Sequence, residues 1–220
     1  MQVDIWSDVV CPWCYIGKRR FERALVEFEH ADEITVGWHN FELDPAAPKA
    51  SNLPMAEQLS RKYGRSLEES QAMLADMDRL AASEGLDYHL AETTGGNTFD
   101  AHRLIQLAGS HGLAGVMEEA LFAAYFVQRV PIGDHDILRR VAGEVGLPAD
   151  EVDEVLAGDR FADEVRADEA LATEIGATGV PFFVVDRKWG IPGAQDTDTI
   201  LSVLRRAWER RGGEPAAEGA

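Results

Sequence analysis

The sequence predicts an α/β fold in which a β-α-β unit and a β-β-α unit are separated by a large all-helical insertion. Three observations carry that prediction. An alternating run and a β-rich run near the N-terminus flank a stretch with helical spacing. From Pro54 to Gly176 the pattern is helical throughout, and at Val180 strand character returns.

Taken in order, Val3-Asp4-Ile5-Trp6-Ser7 alternates large apolar with polar residues as a half-buried strand does, and Lys18 to Phe28 carries apolar residues at helical spacing. Ile34 to Phe41 reads as a second strand, ended by Glu42-Leu43-Asp44-Pro45 and a proline-rich loop to Pro54. A strand, a helix and a parallel strand make a βαβ unit, which closes right-handedly. Within the insertion, Ser66-Leu67-Glu68-Glu69 is a capping-box signature before Met73, Leu74, Met77 and Leu80, with Gly85 as the stop. Asn97-Thr98 precede a helix holding Leu104, Ile105 and Leu107 that ends near Gly112. Leu113 to Val130 is markedly apolar and is terminated by Pro131. Asp134 caps Ile137 to Val145, Pro148 opens a short helix to Leu156, and a charged helix follows from about Phe161 to Ile175. Val180 to Asp186 is a short buried-strand run, Arg187-Lys188 reads as a turn, and Trp189-Gly190-Ile191 begins the other arm of an antiparallel hairpin. Asp196 or Thr197 caps a last helix, Ile200 to Arg210, and residues 212–220 lack periodicity, as a disordered tail does.

The chemistry concentrates at Cys11-Pro12-Trp13-Cys14, at the first strand-to-helix junction. Pro12 suits the first helical position, where its fixed φ is already helical and its missing N–H is not needed. That leaves Cys11 at the helix N-terminus, where free N–H groups and the positive dipole end favour a thiolate, so Cys11 is the candidate nucleophile. Cys14 lies one helical turn on, roughly 5–6 Å away and within reach of a disulfide, which makes it the candidate resolving thiol. A Cys-x-x-Cys is also half of a zinc site. Zinc needs two further ligands, however, the chain has only 2 cysteines, and its 6 histidines show no zinc-finger spacing, so no metal is expected.

Composition limits the partners. At 220 residues, 45% hydrophobic and 27% charged, the chain is ordinary for a globular protein with one substantial core. A formal charge of -18 repels nucleic acid and anionic membrane surfaces, so neither is an expected partner. Met1 runs directly into the first strand without a signal-peptide pattern, and no apolar stretch approaches a membrane span, so a cytoplasmic location is expected. In a reducing cytosol a Cys-x-x-Cys points to catalytic or redox-sensing use rather than a structural disulfide.

The element order matches a thioredoxin-like fold with a large all-helical insertion between its βαβ and ββα halves. Residues 1–53 and 177–211 form the thioredoxin-like domain, 54–176 the inserted helical subdomain and 212–220 the tail. Cys11-Pro12-Trp13-Cys14 after the first strand, the insertion, and Thr178-Gly179-Val180-Pro181 before the third strand resemble the DsbA-like thiol oxidoreductases. Phe41-Glu42-Leu43-Asp44-Pro45, Asn97-Thr98 with Ala101-His102-Arg103-Leu104, and Gly193-Ala194-Gln195 are similar to the FrnE-like branch of that family.

The resemblance implies a cis Val180–Pro181 bond beside Cys11, with the Val180 backbone open to an extended peptide or to glutathione. It also implies a substrate cleft of Pro12, Trp13, Val180, Pro181, Asn97, His102 and Gln195. Several of these have a second reading. Trp13 is a substrate-facing aromatic or a lid over the disulfide, Asn97-Thr98 a cleft wall or a helix cap, His102 a cleft residue or a packing residue, and Gln195 a ligand contact or a turn residue. Trp13 supplies no cation to the thiolate, which departs from the histidine that periplasmic DsbA enzymes carry between their cysteines. Kappa-class transferases and hydroxychromene-carboxylate isomerases resemble the chain in the insertion but typically have serine at the position of Cys11.

The expected function is thiol-disulfide exchange of the Cys11–Cys14 dithiol with a protein or small-molecule substrate. The alternative is a glutathione-dependent isomerase or transferase of a small aromatic or polyketide-like substrate, and a third reading is a non-catalytic binding module. No tightly bound cofactor is expected, and glutathione is the candidate co-substrate. Oligomeric state is left open, a homodimer being one candidate.

Overall fold

Strand β1 (Gln2–Ser7) lies inside a four-stranded sheet of order β2-β1-β3-β4 in the computed structural model, which describes residues 1–49, 51 and 53–211. The expected tail at 212–220 lies outside the described residues. β2 (Thr35–Asn40) pairs parallel to β1, with Ile5 opposite Trp38; β3 (Phe182–Val185) pairs antiparallel on the other side, with Ile5 opposite Phe183; and β4 (Trp189–Pro192) completes the hairpin. Because side chains alternate along a strand, Val3, Ile5, Phe183 and Val185 share one face. That face buries against Phe21 and Ala24 of α1 (Pro12–Glu27) and Ile200, Leu201 and Leu204 of α9 (Thr197–Arg211). The opposite face presents Trp6, Phe182 and Val184, which pack with Ala172 of α8 (Ala162–Glu174).

Between β2 and β3 run α2 (Met55–Tyr63), α3 (Leu67–Ser83), α4 (Phe99–Ser110), α5 (Ala114–Phe122), α6 (His135–Val145), α7 (Ala149–Ala157) and α8. The capping box before α3 is present, with Ser66 and Glu69 bonded reciprocally. The core of these helices is continuous with the start of α1, since Cys11, Cys14, Tyr15 and Ile16 pack with Leu104, Phe122 and Phe126. None of the helices of the described residues is long and apolar enough to cross a membrane.

Two local expectations shift. The apolar run Leu113 to Val130 is not one helix: α5 stops at Phe122, and residues 123–127 form a π-helical turn in which the Gln128 N–H reaches back to the Ala123 carbonyl at 2.9 Å. The wider turn allows both Tyr125 and Phe126 to bury, a packing outcome that apolar spacing cannot encode. The hairpin turn sits one residue earlier than Arg187-Lys188. Asp186 and Arg187 are its central residues, at φ 47° and 57°, because the tight turns that match strand twist need positive φ at both positions.

Candidate active site

The β1–α1 connection brings the cysteines together. The Cys11 N–H donates to the Asp8 carbonyl at 2.9 Å, Cys11 is the N-cap of α1, and Pro12 opens the helix. Both cysteines are free thiols, each 3% exposed. Cys11 Sγ faces the Val180 carbonyl oxygen at 3.4 Å. Burial pushes the Cys14 thiol well up, and Cys11 beside it pushes the same way, opposed by the Asp8 backbone N–H. Burial thus favours the thiol form of Cys14 over its thiolate.

Pro181 is buried, and the Val180–Pro181 bond is cis. Its carbonyl accepts from the Gly193 N–H at 2.8 Å, which ties this loop to the end of β4. Gly17 makes the approach of α1 to this loop possible, since a Cβ there would lie 2.9 Å from Pro181 Cγ. An open groove of about 300 Å³ runs along Val180-Pro181-Phe182 to Pro192 and Gly193, and its lining residues are all uncharged. Trp13 is 41% exposed between the two buried cysteines, and Pro12 is half-buried, its carbonyl accepting from the Tyr88 hydroxyl at 2.9 Å. Tyr88 stacks on Phe126, and Tyr15 on Phe122, so the helical insertion packs directly behind the first turn of α1.

The other expected site residues separate. Gln195 stays with the Pro181 loop, its amide donating to the Pro192 carbonyl at 2.8 Å. Asn97 does the work of a cap, its Oδ1 accepting from the Phe99 N–H at 3.0 Å, and its amide reaches Glu42 at 3.2 Å. His102 is wholly buried, with Nδ1 at 3.1 Å from Asn40 Oδ1 and Nε2 at 3.5 Å from Asp8 Oδ1. It meets the redox loop from behind and does not face the groove.

Sequence reasoning passed over Gly17, Asp8 and Glu118. Each carried a signal: a glycine in a helix interior costs about 1 kcal/mol relative to alanine, so something must require it. Asp8 is an acid three residues before the candidate nucleophile Cys11, and Glu118 an acid inside an apolar run. No group of three or more His, Cys, Asp and Glu among the described residues is arranged to hold a metal ion.

Comparison with known proteins agrees with this geometry. A solved probable DsbA oxidoreductase from Streptomyces coelicolor is 43% identical, covers 100% of this chain and 93% of its own, and superposes with a TM-score of 0.92. A 2-hydroxychromene-2-carboxylate isomerase, 14% identical with coverage of 97% and 98%, has a TM-score of 0.72. The cytosolic disulfide reductase DsbM from Pseudomonas aeruginosa, solved with GSH, is 16% identical with coverage of 95% and 100% and a TM-score of 0.64. The last two share the fold. The DSBA-like thioredoxin domain model matches residues 2–205, taking in both halves of the sheet, the insertion and most of α9, and on that extent the chain belongs to the DSBA-like thioredoxin domain family.

Proposed function

We propose that the chain is a dithiol–disulfide oxidoreductase that works through a mixed disulfide on Cys11. The observation that carries the reading is the asymmetry of the pair: Cys11 caps the helix and faces the Val180 carbonyl, whereas Cys14 lies inside the first turn, where burial favours its thiol form. Cys11 thiolate attacks a substrate disulfide and releases one substrate thiolate. Cys14 then attacks the Cys11 sulfur, forms the Cys11–Cys14 disulfide and releases the second; the reverse sequence oxidises a substrate dithiol.

Pro12, Trp13, Val180, Pro181 and Gln195 form the substrate contact surface in this reading. The uncharged groove beside Val180 suits an extended backbone or glutathione, and the GSH held by the disulfide reductase with the same fold supports glutathione as co-substrate. A FrnE-like placing and a cytoplasmic compartment belong to the same proposal. The isomerase alternative needs only one sulfur to orient glutathione and leaves Cys14 without a task.

The test is mass spectrometry after treatment with oxidised glutathione. Cys14→Ser is expected to accumulate a glutathione adduct on Cys11, and Cys11→Ser to accumulate none. Adducts on Cys14 in Cys11→Ser, with none on Cys11 in Cys14→Ser, refute the assignment.

A further inference from the structure

A charged side chain drawn largely out of water needs compensating partners, and Arg20 of α1, its side chain 17% exposed, has two from distant parts of the chain. Its Nε donates to Glu84 Oε1 at 2.6 Å, at the C-terminal end of α3. Its Nη1 donates to the Ala194 carbonyl at 2.7 Å, between β4 and α9. The Glu84 side chain is 9% exposed and also receives Arg23. Burial would push Glu84 up, but Arg23 and Arg20 outweigh it and hold its carboxyl below the usual carboxylate range. Arg23 already supplies a cation to Glu84, so what Arg20 alone adds is the bond to the loop.

That bond lies beside the tether of Pro181. Gly193 donates its N–H to the Pro181 carbonyl at 2.8 Å, and the Gln195 N–H returns to the Gly193 carbonyl at 3.0 Å. Arg20 stands one turn after Gly17, whose missing side chain lets Pro181 and Ala194 approach α1. Gly17 thus permits the approach, and Arg20 holds it. From the Ala194 carbonyl the path to the sulfur runs through backbone: Gly193, the Pro181 carbonyl, then the Val180 carbonyl that faces Cys11 Sγ at 3.4 Å. A guanidinium is planar, always charged and presents its donors in a fixed fork, so it sets the spacing of Glu84 and the Ala194 carbonyl as a single ammonium would not.

We propose that Arg20 is a positioning residue for thiol exchange: held by Glu84, it fixes the Ala194 carbonyl and, through Gly193, the Pro181 loop, so that the Val180 backbone is set to receive an extended peptide beside Cys11. The assignment rests on the dithiol reading above. Arg20 touches neither the substrate nor the reacting sulfurs, and its charge does not change during exchange. Its effect falls on substrates that dock on the Val180 backbone. A small disulfide without a peptide group reaches Cys11 independently of that docking.

The test compares two disulfides as oxidants of the reduced full chain: that of a short peptide with uncharged residues on both sides of its cysteine, and 2-hydroxyethyl disulfide. Arg20→Met is expected to slow reaction with the peptide disulfide by about tenfold or more, the order of loss caused by a misplaced binding surface, with 2-hydroxyethyl disulfide nearly unaffected. Arg20→Lys keeps a cation for Glu84 and should melt close to wild type, yet its single nitrogen serves only one of the two partners, so it should show the same selective loss. It decides the matter if Arg20→Met does not fold. Arg23→Met is the control: it removes a cation from Glu84 but no bond to the Ala194 carbonyl, and both rates should stay near those of wild type. A folded Arg20→Lys protein with the wild-type peptide rate overturns the assignment. Equal slowing with both disulfides, as a merely structural defect would give, also overturns it, as does an Arg23→Met loss as large as that of Arg20→Lys. Wild type inert toward both disulfides refutes the dithiol reading itself, and the assignment falls with it.

Discussion

Alanine in place of Gly17 probes the contact that seats the Pro181 loop against the active-site helix. The added Cβ would lie 2.9 Å from Pro181 Cγ and 3.5 Å from both Ala194 Cβ and Phe183 Cζ. The proline ring is rigid and Pro181 is buried, so the helix and the loop must move apart. Overpacking of this kind costs about 1–3 kcal/mol. Alanine also gains about 1 kcal/mol of helix propensity over glycine, which leaves a net change of roughly 0–2 kcal/mol destabilising. Gly143 in α6 is the control, because a Cβ there meets nothing within 4 Å and its alanine variant keeps the propensity gain of about 1 kcal/mol. At about 2–4 °C per kcal/mol for a chain of this size, Gly143→Ala should melt roughly 2–4 °C above wild type and Gly17→Ala at or below it. Gly17→Ala should also slow thiol exchange, since moving the loop disturbs the Val180 carbonyl that faces Cys11 Sγ. Thermal melts and exchange kinetics on both variants suffice. A Gly17→Ala protein with a raised melting temperature and wild-type exchange would refute the close-approach reasoning.

Two further outcomes follow from the packing of the insertion and of the sheet. Ser66→Ala removes the capping box of α3 and should cost about 1 kcal/mol in urea melts while leaving thiol exchange intact; no loss of stability would mean the cap is dispensable. His39 lies between Asp168 Oδ1 at 2.6 Å and Asp4 Oδ1 at 3.2 Å and stacks on Trp6, and these carboxylates raise it despite burial. A raised histidine contributes stability that is fully present below its unfolded value of about 6.5 and is lost as pH rises through the folded value. His39→Gln should therefore cost more stability in mildly acidic than in alkaline buffer, and an equal cost in urea melts at both would refute the pairing.

Much of the site was legible because its determinants are local. Cys11, Pro12 and Cys14 are fixed by a proline at the first helical position and by a spacing of one turn. The α3 capping box and the Asp196 cap of α9, whose Oδ1 accepts from the Thr199 N–H at 2.7 Å, are likewise written within four residues of sequence. What escaped depends on partners distant in the chain. Nothing near His102 says that Asn40 and Asp8 will surround it, so a cleft residue and a packing residue look alike until the fold closes. The end of α5 escaped for the same reason, since burying Tyr125 and Phe126 together is a demand made by the neighbouring helices. Trp6 is another such case. The sequence reads its strand as half-buried, but Trp6 packs on a second covered face, where its indole N–H donates to the Asp168 carbonyl at 3.0 Å.

The ties between the insertion and the redox loop are directional, and that bears on why so many helices stand beside a site of two cysteines. Apolar packing alone would hold the insertion in place but tolerate small slides, because contact area changes little with them. Tyr88 instead bonds the Pro12 carbonyl, and His102 stands between Asn40 and Asp8. Arg20 spans from Glu84 at the end of α3 to the Ala194 carbonyl, beside the loop that carries Pro181. Breaking a buried bond of this kind leaves a polar group unsatisfied at about 1–3 kcal/mol, more for a charged one. A slide large enough to lengthen all three would therefore cost several kcal/mol, a large fraction of a domain's total stability. The insertion thus sets the positions of Pro12, Asp8 and the Pro181 loop relative to one another, which are the positions that decide what Cys11 and Cys14 can reach.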